Sequence, residues 1–204
     1  MGGKALLRYG IETVRLPTDA MEPIGRMAAK AVDGRLVPWI AEKADHGDAD
    51  IVVASSMVHQ LGDEALCDAV SRATNFPSFY KRPDVRDPVM AIALNTPHGW
   101  FQVDLITAPD RLVDFSWRFL SWGDFGTLAG QVARQMGLLL GSEGLRLPVR
   151  VPNAPRSHVL LTHDFHAALE FLGFNPSLHA AGFESEAAMI SYVASSRYFD
   201  PAIF

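Results

Sequence analysis

The stretch that decides the fold is Gly47-Asp48-Ala49-Asp50-Ile51-Val52-Val53, in which two acids precede a β-branched apolar run. Such a run predicts a buried strand. Because residues i and i+2 of a strand project to the same face, Asp48 and Asp50 are expected side by side, ~6.7 Å apart along the backbone. A divalent cation between them would relieve their repulsion, and a carboxylate pair with open water positions is typical of Mg²⁺ sites. Taken alone, such a pair is also typical of a solvated turn.

A third acid, Asp104, interrupts the apolar stretch Trp100–Ile106. A lone ionised carboxylate in a sheet is costly, so Asp104 must be paired, protonated, at a sheet edge or bound to a metal. The metal interpretation explains all three acids, because neighbouring strands lie ~4.8 Å apart and Asp104 can face the pair if the two strands are neighbours. The residues therefore predict a two-metal site for Mg²⁺ with Asp48, Asp50 and Asp104 as ligands, beside the alternative of acids at solvated strand ends.

Composition limits the classes of protein that this chain can belong to. It has 204 residues, of which 49% are hydrophobic, so it can build a packed core. Its 18 Lys and Arg against 23 Asp and Glu give a net charge of −5, which argues against charge-driven binding of a long duplex. Cys67 is the one cysteine, which excludes an intrachain disulfide. Without a membrane-length apolar run, we expect a cytoplasmic protein with no membrane partner.

The periodicity of apolar residues predicts an α/β (α+β) chain. Strand-like runs over 51–53, 89–94 and 100–106 alternate with helices in the first half, and a short hairpin is expected over 144–151. Three- and four-residue spacings predict helices over residues 18–32, 63–72, 126–140, 164–172 and 184–195. In the last helix the apolar side is expected to consist of Ala188, Met189, Ile190, Tyr192 and Val193.

Together these residues resemble the DNA polymerase beta-type nucleotidyltransferase superfamily, nearest to its small stand-alone, phage-like members. In that superfamily a palm sheet carries Gly-Asp-x-Asp before an apolar strand, and a third Asp lies between apolar residues further on. This chain has Gly47-Asp48-Ala49-Asp50 and Val103-Asp104-Leu105-Ile106. Its segment Phe119–Asp124 is similar to the polymerase segment that contacts the sugar and base of the incoming nucleotide.

The resemblance implies a fold, a reaction and a set of nucleotide-binding residues. It implies a palm-like catalytic region with a mixed sheet over 1–115, and a small, mostly helical, thumb-like lobe over 116–204. The implied reaction transfers a nucleoside monophosphate from an NTP or dNTP to a hydroxyl acceptor, such as a DNA or RNA end, and releases pyrophosphate. The resemblance implies that Asp48, Asp50 and Asp104 are the catalytic residues and that they hold Mg²⁺ or Mn²⁺. The implied nucleotide-binding residues are Gly47, Lys43, Ser121, Gly123 and Asp124, although Asp124 is equally placed to cap a helix.

The chain departs from the family pattern where the triphosphate is usually held. The family places a Gly-Ser pair, with an Arg nearby, shortly before the first metal-binding Asp. The corresponding stretch Val37–Lys43 has neither Ser nor Arg, so Lys43 is the cation available to phosphate there. The alternative function is a binding or structural protein that keeps this fold after its triphosphate site has decayed. Oligomeric state is left open by the sequence.

Overall fold

The computed structural model describes residues 3–82, 87–149 and 157–203. The chain divides into two compact units. The first holds the chain up to Val37 together with Lys43–Val113, and the second holds Pro38–Glu42 together with the chain from Asp114 onward. The predicted division into 1–115 and 116–204 treats each part as continuous, whereas Pro38–Glu42 is grouped with the later part of the chain.

A mixed sheet forms the centre of the first unit. In chain order its elements are β1 (Leu16–Pro17), α1 (Thr18–Ala31), β2 (Arg35–Leu36), β3 (Asp45–His46), β4 (Asp48–Ala54), α2 (Ser55–Thr74), β5 (Ser78–Lys81), β6 (Val89–Thr96) and β7 (Gly99–Ala108). Five strands are ordered β2-β4-β7-β6-β5, and β1 pairs with β3. Strands β4 and β7 are parallel, whereas the other neighbours in the large sheet are antiparallel. The predicted α/β (α+β) class is confirmed.

The predicted strands are present, and a tight turn joins β6 to β7. The Thr96 hydroxyl donates to the Gly99 carbonyl oxygen at 2.7 Å and accepts the His98 N–H at 3.2 Å. Gly99 has a φ of 117°, a conformation that strains any residue with a Cβ. The turn chemistry therefore fixes the hairpin that carries the third acid.

Helix α2 is longer than predicted. It spans Ser55–Thr74 and is interrupted at Gly62, where φ is 76° and ψ is 165°. The residues buried by this helix, including Leu66 and Val70, all follow Gly62. Apolar periodicity therefore identifies only the second half, which is the part predicted over 63–72.

The later part of the chain carries helices and a second sheet. Its elements are α3 (Val113–Leu120), α4 (Phe125–Gln135), β8 (Leu139–Gly141), β9 (Gly144–Val149), β10 (Ser157–Thr162), α5 (Phe165–Phe171), α6 (Pro176–Ala181) and α7 (Glu186–Ala194). Strands β10-β9-β8 form an antiparallel sheet in that order, so the lobe predicted as mostly helical also contains strands. The hairpin predicted over 144–151 is wrong for its described residues, because Gly144–Val149 form the single strand β9, which pairs with β8 before it. Residues 150 and 151 lie outside the described residues. Among the described helices, none combines the length and apolar character needed to cross a bilayer.

Two details predicted for these helices are wrong. The helix predicted over 126–140 ends at Gln135, because Gly137 adopts a φ of 73° and Leu139 begins strand β8. In α7, Ile190 was expected to face inward but is 55% exposed, whereas Met189 and Val193 are buried.

An aromatic cluster forms the core of the second unit. Phe125 is fully buried and contacts Phe174, Phe183 and Tyr192 with ring centroids 5.7 to 6.4 Å apart. His179 lies in the same cluster, with its ring 4.6 Å from that of Phe125. Edge-to-face and tilted ring pairs of this kind contribute beyond the area that they bury.

Residues Pro38–Glu42 join the second unit through backbone hydrogen bonds. The Ala41 N–H donates to the Phe183 carbonyl at 3.0 Å, and the Glu42 N–H donates to the Glu184 carbonyl at 3.0 Å. The Trp122 N–H donates to the Pro38 carbonyl at 3.1 Å. These bonds satisfy backbone groups of a segment that has no helix or strand of its own.

Candidate metal centre

The three predicted acids lie on one face of the large sheet. In β4, Asp48 and Asp50 alternate with the buried residue Ala49, so both carboxylates project from the face opposite to Ala49. The parallel pairing of β4 with β7 places Asp50 directly opposite Asp104. Residues opposite one another in neighbouring strands project to the same face, so Asp104 joins the pair.

The acids are close together and removed from bulk water. One carboxylate oxygen from each of Asp48, Asp50 and Asp104 lies within 4.8 Å of the others. Asp104 is 9% exposed, and Asp48 and Asp50 are partly buried. Helix α1 packs on the other face, where an added Cβ at Gly25 would lie 3.6 Å from the Ala49 Cβ. The sheet thus separates the apolar packing from the acids.

Burial and mutual repulsion raise the pKa of two of these carboxyl groups. Burial, followed by the charges of Asp50 and Asp48, raises the pKa of Asp104 to about 8, despite an opposing hydrogen bond from Gln102. Burial and the charge of Asp48 raise the pKa of Asp50 to about 6, against a lowering by Lys43. Asp104 therefore holds a proton at neutral pH unless a cation replaces it.

Gln102 is the hydrogen-bond donor that orients Asp104. Gln102 lies two residues before Asp104 on the same face of β7 and is fully buried. Its Nε2 atom donates to the two carboxylate oxygens of Asp104 at 3.0 and 2.8 Å. No donor among the described residues reaches the carboxylate of Asp50. Asp50 is therefore the acid of the trio whose negative charge is least stabilised by hydrogen bonds from the described residues.

The amino-terminal segment packs along the acids. The Gly3 N–H donates to Asp48 Oδ2 at 2.9 Å, and the Ala5 N–H donates to Gln102 Oε1 at 3.1 Å. Gly3 has a φ of 82°, and a Cβ added there would lie 2.3 Å from the Gly47 carbonyl oxygen. Gly47, predicted as a nucleotide-binding residue, is buried and faces this segment.

Sequence reasoning missed both Gln102 and Gly3. The signal for Gln102 was present, because its spacing from Asp104 is the same two-residue spacing that joins Asp48 to Asp50. Gly3 gave no local signal, since its contacts are with residues distant in the chain.

Lys43 and His46 flank the acids with different charge states. Lys43 is exposed, and its charge lowers the pKa of Asp50. The Thr18 hydroxyl donates to the Lys43 carbonyl at 2.6 Å and lies 3.0 Å from His46 Nε2. Since that hydroxyl has one proton, His46 Nε2 is the donor in their contact. Burial, then the charges of Lys43 and Arg15, lowers the pKa of His46 to about 4, so His46 is neutral at pH 7.

The other predicted nucleotide-binding residues lie at the junction of α3 and α4 in the second unit. Ser121 is buried, and its hydroxyl donates to the Trp117 carbonyl at 2.7 Å. Gly123 has a φ of 66°, and only Ile40 Cδ1, at 3.8 Å, would meet an added Cβ. Asp124 is exposed at the N-cap of α4, but its side chain makes no capping hydrogen bond. Their role in nucleotide binding stays a prediction.

The donor set of the trio fits a hard divalent cation. Carboxylate oxygens are the ligands that Mg²⁺ takes, and Mg²⁺ usually combines one or two of them with water or phosphate oxygens. Asp50, which lacks a hydrogen-bond donor among the described residues, is in contact range of both other acids. A cation there would replace the protons that the raised pKa values imply.

No family model matches this chain, and no curated protein matches it.

Proposed function

We propose that this protein is a Mg²⁺-dependent nucleotidyltransferase with a polymerase beta-type palm. It transfers a nucleoside monophosphate from an NTP or dNTP to a hydroxyl acceptor and releases pyrophosphate. The observation that carries the proposal is the register of β4 and β7, which pairs Asp50 with Asp104 and brings Asp48 to the same site. Mg²⁺, or Mn²⁺ in its place, would be held by these three residues. The reactants are cytoplasmic molecules, so the cytoplasm is part of the proposal.

The electrostatics of the trio support a cation-dependent reaction. Three carboxylates within 4.8 Å lower the stability of a metal-free protein when they ionise. The contacts of Gln102, Gly3 and Lys43 offset this only in part, since the pKa values of Asp50 and Asp104 stay raised. Bound Mg²⁺ would supply Lewis-acid stabilisation of the charge that develops on the transferring phosphoryl group. An arrangement that is unfavourable without a ligand is typical of a site built for one.

The proposed reaction gives the residues distinct tasks. The oxygen of the acceptor hydroxyl forms a bond to the α-phosphorus, and the bond from that phosphorus to the β-phosphate bridging oxygen breaks. A carboxylate oxygen of Asp104, in its ionised form, would take the hydroxyl proton. Gln102 keeps that carboxylate in position through its two donated hydrogen bonds. Lys43 provides the nearby positive charge for phosphate oxygens.

A second candidate function is favoured by one observation. The stretch that corresponds to the usual triphosphate loop is Val37–Lys43, and five of its residues, Pro38–Glu42, belong to the second unit. That stretch also lacks the Ser and Arg of the family pattern. A protein that keeps the palm fold for binding or structure, without transferring nucleotides, would have this combination.

Thermal unfolding with and without Mg²⁺ and nucleotides distinguishes these functions. A ligand that binds only the folded state raises Tm by mass action. We expect Mg²⁺ to raise the Tm of the wild type and of the control Asp68→Asn, an exposed acid on α2, but not that of Asp104→Asn. Pyrophosphate release from labelled triphosphates with DNA or RNA ends should fall on the order of 10²-fold or more in Asp104→Asn.

The same measurements can refute the proposal. A Tm that does not respond to Mg²⁺, or an equal response in Asp104→Asn and Asp68→Asn, would exclude the trio as the cation site. A normal Mg²⁺ response without pyrophosphate release from any triphosphate and acceptor would favour the binding or structural protein.

A further inference from the structure

A basic pocket lies on the face of the sheet that carries the acids. It has a volume of about 370 Å³ and is lined by Lys4, Arg8, Tyr9 and Lys81 around a floor that includes Leu6 and Ala91. Leu6 is fully buried and packs on Ala91, which fixes the 3-10 turn Leu7–Tyr9 to the sheet. We call this site the basic pocket.

Strand register places the basic pocket beside the acids. A single row crosses the sheet from β4 to β5, because Asp50 is opposite Asp104, Asp104 is opposite Ala91, and Ala91 is opposite Lys81. All four side chains therefore project to the same face. With strands ~4.8 Å apart, the backbone at Lys81 lies about 10 Å from the backbone at Asp104.

The charges of the basic pocket favour a phosphate group. No carboxylate of the described residues forms an ion pair with Lys4, Arg8 or Lys81. One acid, Asp87, also lines the pocket, and its Oδ1 already accepts the N–H of Val89 at 2.9 Å. Among the described residues that line the pocket, three cations against one acid give a local excess of positive charge in a protein whose net charge is −5.

The aromatic and apolar groups of the pocket fit the rest of a nucleotide. The guanidinium of Arg8 lies 4.9 Å from the centre of the Tyr9 ring, and Lys81 Nζ lies 5.6 Å from it. These cation–π contacts hold both cations beside the Tyr9 ring, which also lines the pocket. Tyr9, which is 39% exposed, and the partly exposed Val89 provide the apolar surface on which a sugar or base can pack. Cations combined with an aromatic ring are the usual means of holding single-stranded nucleic acid.

We propose that the basic pocket binds the terminal nucleotide of the acceptor, with its phosphate against Arg8 and Lys81 and its hydroxyl directed along the row toward Asp104. This inference rests on the proposed function and specifies the acceptor of that reaction as a phosphate-bearing nucleotide. Two ligands present a phosphate-bearing nucleotide of this kind, namely the end of a single strand and a free nucleoside monophosphate. The distance along the row accommodates one nucleotide between the phosphate contacts and the acids.

Binding is measured in EDTA by the fluorescence anisotropy of a short labelled oligothymidylate, so that it does not depend on the metal or on transfer. The test variant is Arg8→Ala with Lys81→Ala. The matched control is Arg72→Ala with Lys30→Ala, which removes the same charge from exposed positions on α2 and α1. We expect the test variant to bind at least tenfold more weakly and the control to bind as the wild type does.

The salt dependence adds a readout that misfolding would not imitate. Each phosphate contact to a single strand contributes roughly −0.7 to the slope of log K against log salt, so three cations predict a slope of about −2. Between about 50 and 200 mM salt, the slope should fall to about −0.7 in the test variant. Circular dichroism and Tm of the variants should match those of the wild type.

The arms of the experiment separate the two sources and the two proposals. Displacement of the oligonucleotide by dTMP at a similar concentration assigns the pocket to a free nucleotide, and displacement only by unlabelled strand assigns it to a strand end. Absence of salt-dependent binding, or equal loss in both double variants, overturns the basic pocket. If Mg²⁺ fails to raise Tm while pocket-dependent binding persists, the transfer reaction is refuted and the nucleotide pocket stands.

Discussion

Asp104 in the first unit and His179 in the second are both buried ionisable side chains, and their surroundings are opposite. Asp104 lies beside two further acids and accepts two hydrogen bonds from Gln102. His179 lies among aromatic rings, and its Nε2 has no hydrogen-bond partner in the described residues. The second unit therefore keeps its titratable group neutral by packing, whereas the first unit gathers groups that repel one another when charged.

The pKa values of Asp104 and His179 are also shifted in opposite directions. Burial and its acidic neighbours raise the pKa of Asp104 to about 8, and burial, with the charge of Arg118, lowers the pKa of His179 to about 4. His46, buried in the first unit, shifts as His179 does. The stability of the wild type at a given pH therefore combines opposite contributions from these groups, and the difference between a variant and the wild type isolates one of them. Packing alone keeps His179 neutral in the aromatic core, whereas the acids repel one another whenever they ionise.

The largest effect is expected in the aromatic core. Phe125→Ala removes a fully buried ring that contacts several others, which should lower the free energy of unfolding by about 3–5 kcal/mol. Urea denaturation measures this loss, and Phe171→Ala, at a residue 51% exposed, is the control with an expected change within about 0.5 kcal/mol. Equal losses in both variants would contradict a core held together by these rings.

Asp104→Asn should stabilise the metal-free protein. Because the folded pKa of Asp104 is raised above its ordinary value, the stability that its proton contributes is present below about pH 4 and is lost as pH rises through about 8. Asparagine does not ionise, so the variant avoids that loss. We expect a gain on the order of 3 kcal/mol at pH 8.5 that shrinks toward pH 5.

Chemical denaturation in EDTA across this pH range measures the gain, with Asp68→Asn as the matched substitution. A gain that does not change with pH, or that Asp68→Asn shares, would remove the contrast between the acids and the aromatic core.

His179→Phe should show the reverse dependence. The folded pKa of His179 is depressed, so its contribution to stability is complete above about pH 6.5 and is lost as pH falls toward 4. Phenylalanine does not ionise, so the variant avoids that loss. The free energy of unfolding of the variant relative to the wild type should rise on the order of 2 kcal/mol as the pH falls from 7 to 4.5. The same denaturation series checks it against His158→Phe, at an exposed position on β10, which should show no such trend.

The smallest expected effect concerns the amino-terminal segment. Gly3 and Gly10 both have positive φ, but only at Gly3 would an added Cβ meet the Gly47 backbone, whereas nothing lies within 4 Å at Gly10. Gly10→Ala should cost about 1 kcal/mol from backbone strain alone, and Gly3→Ala about 1 kcal/mol more. Thermal unfolding compares the two, and equal costs would show that the segment does not depend on close contact with Gly47.

The elements that the sequence predicted best are those with a strong local signal. The β-branched run after Asp50 and the hairpin around Gly99 are recognisable from residue types alone. The two-residue spacing of Asp48 and Asp50 correctly predicted a shared face. Their approach to Asp104 could be predicted only if β4 and β7 were assumed to pair. Helix α2 and strands β5 and β6 separate these two strands along the chain.

The parts that sequence reasoning missed depend on contacts between distant residues. The end of α4 was predicted too late, because the apolar residues that follow Gly137 continue the helical spacing while packing as a strand. The contact of Gly3 with Gly47, and the hydrogen bond of Ala5 to Gln102, carry no pattern within their own segments. The register that aligns Lys81 with the acids likewise emerges only from four strands taken together.

The grouping of Pro38–Glu42 with the later chain has a consequence for how this protein can be divided. The polypeptide passes from one unit to the other at three places, after Val37, after Glu42 and after Val113. A fragment that stops at Val113 would retain Pro38–Glu42 while losing the carbonyl acceptors at Phe183 and Glu184. Neither unit can therefore be produced by truncating the chain at a single position. Expression of the first unit alone requires a short linker in place of Pro38–Glu42.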